Sequence, residues 1–181
     1  MEYKKLSLEP YHVHLSETAY TEDKDEKDQL RLVFKDELVF NLDRIADAST
    51  KKWNNNNSLK SCDAFYENNG NHYYIEFKNQ PLNNVKPEEI RQKAFNSLLV
   101  TQIAIFPDSS FSEITKRAVL IVVYRESSIP SWEKIRNSIG VMAKKNTSIQ
   151  FGLEKYKSHG FFQEIYTVTV EKFNEMSSIF Q

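Results

Sequence analysis

Apolar residues recur at helical spacing between Gln29 and Ala48. They lie three or four positions apart, at Leu30, Val33, Phe34, Leu38, Leu42 and Ile45, and this spacing predicts one amphipathic helix. The stretch LVFNLDRI within it also fits a strand, and the pattern does not decide between the two. The next segment, STKKWNNNNS at 49–58, ends either element because serine and asparagine compete for backbone hydrogen bonds.

Two strands joined by a tight turn are predicted from 59 to 79. The runs LKSCDAFY (59–66) and HYYIEFKN (72–79) fit strands, and ENNGN separates them. Asn69-Gly70 is the pair that best tolerates the positive φ angles of a two-residue hairpin loop. With that pair at the centre of the loop, continuing along the ladder places Asp63 directly opposite Glu76.

The rest of the chain predicts further helices and strands. A helix is expected at 86–105, with Pro87 in its first turn and Ile90, Ala94, Leu98 and Ile105 on its inner face. The nearly continuous apolar run at 117–126 is typical of a strand covered on both sides and central to a sheet. The remaining pattern predicts a helix at 128–145, strands at 150–156 and 161–170, and a short helix at 170–180.

Length and composition favour one α/β domain spanning residues 1–181. A chain of 181 residues with 40% hydrophobic residues can bury one core. Residues 1–28 carry few aliphatics and a dense charge run, so they are expected to form a weakly packed N-terminal arm. No stretch has the length and hydrophobicity of a membrane helix or signal peptide.

The cysteine count and the charge distribution limit the expected compartment and partners. The single cysteine, Cys62, excludes an intramolecular disulfide and a cysteine-rich zinc site, which favours the cytoplasm. The net charge is −1, yet residues 81–157 carry 12 Lys+Arg against 7 Asp+Glu. A nucleic-acid binder needs only one positive face, so this distribution permits nucleic acid as a partner. An unevenly charged solvated surface explains it equally well.

The predicted hairpin brings together charged residues that could do chemistry. Alternation along the strand puts Tyr74, Glu76 and Lys78 on one face, and Asp63 would lie about 4.5–5.5 Å from Glu76 between Cβ atoms. Two carboxylates this close repel each other unless one is protonated or a cation lies between them. Mg²⁺ accepts one or two carboxylates together with waters and phosphate oxygens. Lys78 would add a positive charge beside them. An exposed Glu-Lys ion pair and a surface acid are the alternative interpretation.

Asp63, the twelve-residue interval and Glu76-Phe77-Lys78 resemble the motif of the PD-(D/E)XK nuclease superfamily. The resemblance covers mainly residues 59–105, and Cys62 stands where the motif has proline. It implies a restriction endonuclease-like core, with a central mixed β-sheet flanked by helices. It also implies that Asp63, Glu76 and the backbone carbonyl of Phe77 hold Mg²⁺ or Mn²⁺, and that Lys78 is catalytic.

The same resemblance implies two accessory residues. Many members carry an acid on a helix before the hairpin, for which Glu37 is the first candidate and Asp43 the second. Some carry a glutamine on the helix after it, and Gln92 occupies a comparable place, with Phe95 where tyrosine often accompanies that glutamine.

Two classes of function follow from these residues. The first is a Mg²⁺-dependent nuclease that hydrolyses phosphodiester bonds, in DNA in preference to RNA. The alternative is a non-catalytic protein on the same fold that acts as an immunity- or antitoxin-like or regulatory binding partner. The expected partners are therefore nucleic acid, another protein or a second copy of the chain, and no membrane. A third interpretation is an ordinary structural domain with an accidental motif.

Overall fold

A six-stranded mixed sheet organises the protein, as seen in a computed structural model that describes residues 7–21, 30–31, 37–51, 57–81, 84–125 and 149–176. Its strand order is β1-β4-β5-β6-β7-β8, and β2 and β3 form a separate two-stranded sheet. The strands are β1 (His12–His14), β2 (Tyr20–Thr21), β3 (Leu30–Arg31), β4 (Leu38–Asn41), β5 (Ala64–Asn68), β6 (Asn71–Pro81), β7 (Ala118–Arg125) and β8 (Glu164–Thr169). The strands from β1 to β6 pair antiparallel, whereas β7 pairs parallel with both β6 and β8.

Helices cover both faces of this sheet. The described α-helices are α1 (Leu15–Thr18), α2 (Leu42–Thr50), α3 (Pro87–Val100), α4 (Phe111–Thr115), α5 (Glu154–Ser158) and α6 (Val170–Glu175), with a 3₁₀ turn at Glu9–Tyr11. One buried cluster joins α2, α3 and α4 to the sheet face that carries Phe65 and Tyr74. The other joins Leu15 of α1 and Phe173 of α6 to the opposite face. The predicted α/β class, with a mixed sheet flanked by helices, is therefore confirmed. None of the described helices has the length and hydrophobicity needed to cross a membrane.

The β5–β6 hairpin has the predicted turn and register. Asn69 and Gly70 adopt φ angles of 50° and 75°, the left-handed conformation that a tight hairpin turn requires. Asn68 pairs with Asn71, and the ladder continues without a shift to Ala64 and Ile75. Asp63 therefore immediately precedes the ladder at the point where Glu76 continues β6.

The long helix and the apolar strand that follow the hairpin are also confirmed. Helix α3 begins at Pro87, and a π-helical turn over Thr101–Ile105 extends it. The predicted inner residues Ile90, Ala94, Leu98 and Ile105 are all buried. In β7, Ala118 to Val123 are buried because one cluster covers each face of an interior strand.

The single helix favoured between Gln29 and Ala48 is wrong, and the alternative strand is present in the first half of LVFNLDRI. Leu38–Asn41 forms strand β4, and α2 begins only at Leu42. The side chain of Asn41 accepts a hydrogen bond from the N–H of Arg44 and so caps the helix. A strand followed by a helix produces here the same apolar spacing as one long helix, although Leu38 is 59% exposed.

The strand predicted at 150–156 is also wrong. Phe151 and Gly152 adopt φ angles of 62° and 67°, which turn the chain into α5 at Glu154. The strand predicted at 161–170 is confirmed as β8, and α6 confirms the start of the last helix. The helix predicted at 128–145 lies outside the described residues.

Candidate carboxylate and lysine site

Asp63 is held at the start of β5 by its backbone and its side chain. Its carbonyl oxygen accepts a hydrogen bond from the N–H of Leu42, at the start of α2. Its Oδ2 accepts from the N–H of Phe77, 2.6 Å away on β6. The preceding Cys62 donates its N–H to Ser97 Oγ on α3. Asp63 is thus fixed where the hairpin, α2 and α3 meet.

Glu76 lies beside Asp63 on the face of β6 that α2 and α3 cover. Its side chain is only 1% exposed, and Lys78 Nζ lies 3.0 Å from its Oε1. Phe77, between these two residues, turns its ring to the opposite face, where it packs edge-on against Phe173. The alternation predicted for β6 therefore places Glu76 and Lys78 together, and the predicted Asp63–Glu76 juxtaposition is present as well.

Lys93 completes this group, and our sequence analysis did not identify it. Its Nζ lies 3.3 Å from Asp63 Oδ1 and 3.0 Å from both carboxylate oxygens of Glu76. It comes from α3, where the buried Ile90, three positions before it, and the buried Ser97, four positions after it, lie on the same helical face. That spacing was a signal that could have identified Lys93. Together, Asp63, Glu76, Lys78 and Lys93 form what we call the charged cluster.

Burial and mutual charge set the protonation of the charged cluster. Burial, and then the nearby charge of Asp63, raise the pKa of Glu76 to about 8, although Lys93 and Lys78 oppose the shift. Burial also raises the pKa of Asp63, against the opposing effects of Lys93 and the Phe77 N–H. Burial alone would lower the pKa of Lys93, but the carboxylates of Asp63 and Glu76 outweigh it and raise that pKa. Lys93 is therefore a permanent cation between two acids that are costly to ionise.

Cys62 is chemically quiet beside the charged cluster. It is buried, and burial together with the charge of Glu76 raises the pKa of its thiol well above the usual value. Because the thiolate is the reactive form of cysteine, this side chain is not suited to act as a nucleophile.

Of the two candidate helical acids, Asp43 adjoins the charged cluster and Glu37 does not. Asp43 lies on α2, where its Oδ1 accepts hydrogen bonds from the N–H and hydroxyl of Ser61. Its charge also raises the pKa of Asp63 and Lys93. Glu37 precedes β4, whose other end pairs with Ala64, so it lies roughly 13 Å along the strand direction from that end. Glu37 does not lie on the helix before the hairpin, because α2 begins five residues later, at Leu42.

Gln92 lies away from the charged cluster. It is exposed on α3, because a position two residues beyond Ile90 is rotated by about 200° around the helix. The helix after the hairpin thus contributes a lysine from its inner face where the resemblance implied a glutamine.

The donors of the charged cluster match a hard divalent cation in chemistry. Asp63 and Glu76 offer carboxylate oxygens, and the Phe77 carbonyl is the third donor that the resemblance implied. Oxygen ligands of this kind suit Mg²⁺ and Mn²⁺, and a cation would favour ionisation of Glu76, whose pKa burial and then the charge of Asp63 raise. Over the described ranges, no group of three or more His, Cys, Asp or Glu side chains is placed to hold a metal. A metal here would therefore depend on waters or substrate for its other ligands.

A small cavity lies near the other end of β6. It has a volume of about 70 Å³ and is lined by His72, Phe106, Ser109, Glu113, Ile114 and Arg117. The ring of His72 stacks on that of Phe106 at 4.8 Å, and neither of its nitrogens has a hydrogen-bond partner among the described residues. Burial, and then the charge of Arg117, lower the pKa of His72 to about 4. This imidazole is therefore neutral at physiological pH.

Comparisons with known proteins give no match. No protein family, no curated protein and no solved structure matches the chain.

Proposed function

We propose that the protein is a Mg²⁺- or Mn²⁺-dependent nuclease of the PD-(D/E)XK type that hydrolyses phosphodiester bonds in DNA. The observation that carries this proposal is the placement of Asp63 and Glu76 on one buried, lysine-flanked site at the end of the β5–β6 hairpin. Isolated buried carboxylates are costly, and their presence next to each other is typical of a site that receives a cation.

Three features support a restriction endonuclease-like core. The motif residues come from an antiparallel hairpin, the helix that follows it covers the same face, and the next strand pairs parallel with β6. Asp43 replaces Glu37 as the proposed acid from the preceding helix. Residues 81–157 are the proposed contact for the DNA backbone, because this part of the chain is basic.

Each residue of the charged cluster has a proposed task. Asp63, Glu76 and the Phe77 carbonyl would hold the ion, whose role is to activate water and neutralise charge on the phosphate. The hydrogen bond from the Phe77 N–H fixes Asp63 Oδ2, so that its Oδ1 faces the site. Lys78, which contacts Glu76 from the same strand, would orient the attacking water or neutralise the developing oxyanion.

Cleavage of DNA by purified protein tests this proposal. Supercoiled, linear and single-stranded DNA are incubated with Mg²⁺ or Mn²⁺ and with the parent, Glu76→Ala or Lys78→Ala. We expect cleavage by the parent and a loss of at least about 100-fold in each variant. Lys172→Ala is a matched control, because this exposed lysine pairs with Glu175 on the opposite side of the sheet. Cleavage that persists unchanged in Glu76→Ala and Lys78→Ala would end the site assignment.

One observation favours the non-catalytic alternative. Lys93 and Lys78 already contact Asp63 and Glu76 without a metal, as expected of a site that kept the motif for stability. An immunity-like or regulatory binding partner is the corresponding function. A folded parent that neither cleaves DNA nor binds Mg²⁺ or Mn²⁺ would support this alternative. In both cases we propose a cytoplasmic location, because the lone Cys62 is buried and free.

A further inference from the structure

Lys93 and Lys78 contact the acids of the charged cluster differently. Lys78 Nζ contacts Glu76 alone among these acids, through Oε1. Lys93 Nζ lies between the two acids, 3.3 Å from Asp63 Oδ1 and 3.0 Å from Glu76. A bridging ammonium of this kind makes the contacts that a bridging cation would make.

The oxygen atoms that Lys93 contacts are the ones left available by the backbone. Asp63 Oδ2 accepts a hydrogen bond from the N–H of Phe77 at 2.6 Å, which leaves Oδ1 as the oxygen available to a cation. Both oxygens of Glu76 lie 3.0 Å from Lys93 Nζ. A divalent ion coordinates carboxylate oxygens at about 2.0–2.1 Å, so it cannot share these atoms with an ammonium group in the same position.

The Lys93 side chain is anchored at its base and partly exposed. Its backbone carbonyl accepts a hydrogen bond from Ser97 Oγ within α3, which fixes the start of the side chain. Its side chain remains 17% exposed, so part of it reaches solvent. A lysine has four flexible methylene groups, which lets the ammonium move outward without a change in the helix.

We infer that Lys93 is a resident counterion that competes with a divalent cation for Asp63 and Glu76, so that metal binding exchanges the ammonium for the ion. This inference rests on the metal site of the proposed function. It adds that Lys93 stabilises Asp63 and Glu76 in the metal-free protein and that Lys93 weakens the affinity of the site for metal. Lys78 keeps Glu76 Oε1 in this exchange, because the two oxygens that Lys93 alone contacts are Asp63 Oδ1 and Glu76 Oε2.

Direct measurement of Mn²⁺ binding tests the exchange. Isothermal titration at pH 7.5 compares the parent with Lys93→Met, which keeps the side-chain length without the charge, and with the surface control Lys172→Met. We expect Lys93→Met to bind Mn²⁺ at least about tenfold more tightly than the parent. Lys172→Met should bind Mn²⁺ as tightly as the parent, because the exposed ion pair of Lys172 lies on the opposite side of the sheet.

Thermal unfolding provides a second readout that does not depend on catalysis. Without metal, Lys93→Met should have a lower Tm than the parent because two acids lose their shared cation. Added Mn²⁺ should raise its Tm by more than it raises that of the parent. If Lys93→Met does not fold even with Mn²⁺, Lys93→Gln, which is neutral and polar, is measured with the same expectations.

The outcomes separate this inference from the proposed function. A parent that binds Mn²⁺ and cleaves DNA, with a Lys93→Met variant that binds Mn²⁺ equally or more weakly, would overturn the exchange alone. Tighter binding by Lys93→Met without cleavage by any protein would support the exchange and overturn the nuclease. Absence of Mn²⁺ binding in the parent and in both Lys93 variants would overturn both.

Discussion

The buried His72 should make the stability of the protein fall in mildly acidic solution. Its side chain is 4% exposed, and its pKa is lowered from 6.5 to about 4, chiefly by burial. Below pH 6.5 the unfolded chain therefore binds a proton that the folded protein does not. The free energy of unfolding therefore decreases as pH falls from about 6.5 towards 4. Above pH 6.5, His72 does not make the free energy of unfolding depend on pH.

The size of this effect can be worked from the same shift. With pKa values of 6.5 unfolded and about 4 folded, the linkage relation gives a loss of about 2 kcal/mol between pH 7.5 and pH 5. The nearest acid contact is Glu67, whose Oε1 is 3.9 Å from Nε2 and whose side chain is 47% exposed. Glu67 is therefore too distant and too well solvated to stabilise the protonated form of His72.

Guanidinium unfolding of the parent and of His72→Phe at pH 7.5 and pH 5 measures the loss. Phenylalanine keeps an aromatic ring against Phe106 and removes two unpartnered nitrogens, so His72→Phe should be at least as stable as the parent at pH 7.5. It should lose about 2 kcal/mol less than the parent at pH 5. His159→Gln is the control, since His159 is exposed. An equal pH dependence in the parent and His72→Phe would refute the reasoning.

Three further substitutions, each measured by chemical unfolding at pH 7.5, test the hairpin turn, one support of the charged cluster and the cap of α4. Gly70→Ala places a Cβ at a φ of +75° with no atom within 4 Å, so backbone strain alone should cost about 1 kcal/mol. Ser97→Ala leaves the buried N–H of Cys62 without its acceptor and should cost about 1–3 kcal/mol. Ser110→Ala breaks the capping box that starts α4 and should cost about 1 kcal/mol.

Ser158→Ala serves as their control, because Ser158 is exposed at the end of α5. It should change the free energy of unfolding by less than about 0.5 kcal/mol. A Gly70→Ala variant as stable as this control would show that the turn does not need its left-handed conformation. The corresponding result for Ser97→Ala would mean that the Cys62 N–H finds another acceptor.

The hairpin and its register were predictable because they depend on local chemistry. Asn69-Gly70 favours one turn geometry, and this geometry alone determines that Asp63 adjoins Glu76. Strand β7 was predictable for a related reason, since an uninterrupted apolar run leaves few alternatives to burial on both faces.

The start of α2 and the role of Lys93 were harder to predict, for different reasons. A short strand before α2 produces the spacing of a longer helix, and only the cap at Asn41 marks the boundary. Lys93 was missed because the resemblance directed attention to Gln92. The helical positions of Ile90 and Ser97 place Lys93 on the inner face, but that it contacts both acids depends on how α3 packs across the hairpin. The turn at Phe151 was also hard to predict, because the sequence pattern does not indicate that a residue other than glycine adopts a positive φ.

The charged cluster comes from one short stretch of the chain, and this has a consequence for folding order. All of its members lie between Asp63 and Lys93, at most 30 positions apart, whereas β7 pairs with β6 and with β8 across about 45 positions. Short loops close at lower entropic cost than long ones. The hairpin and α3 can therefore pack together before the parallel strands pair, and the opposite charges would be in contact while the forming core is still exposed to water.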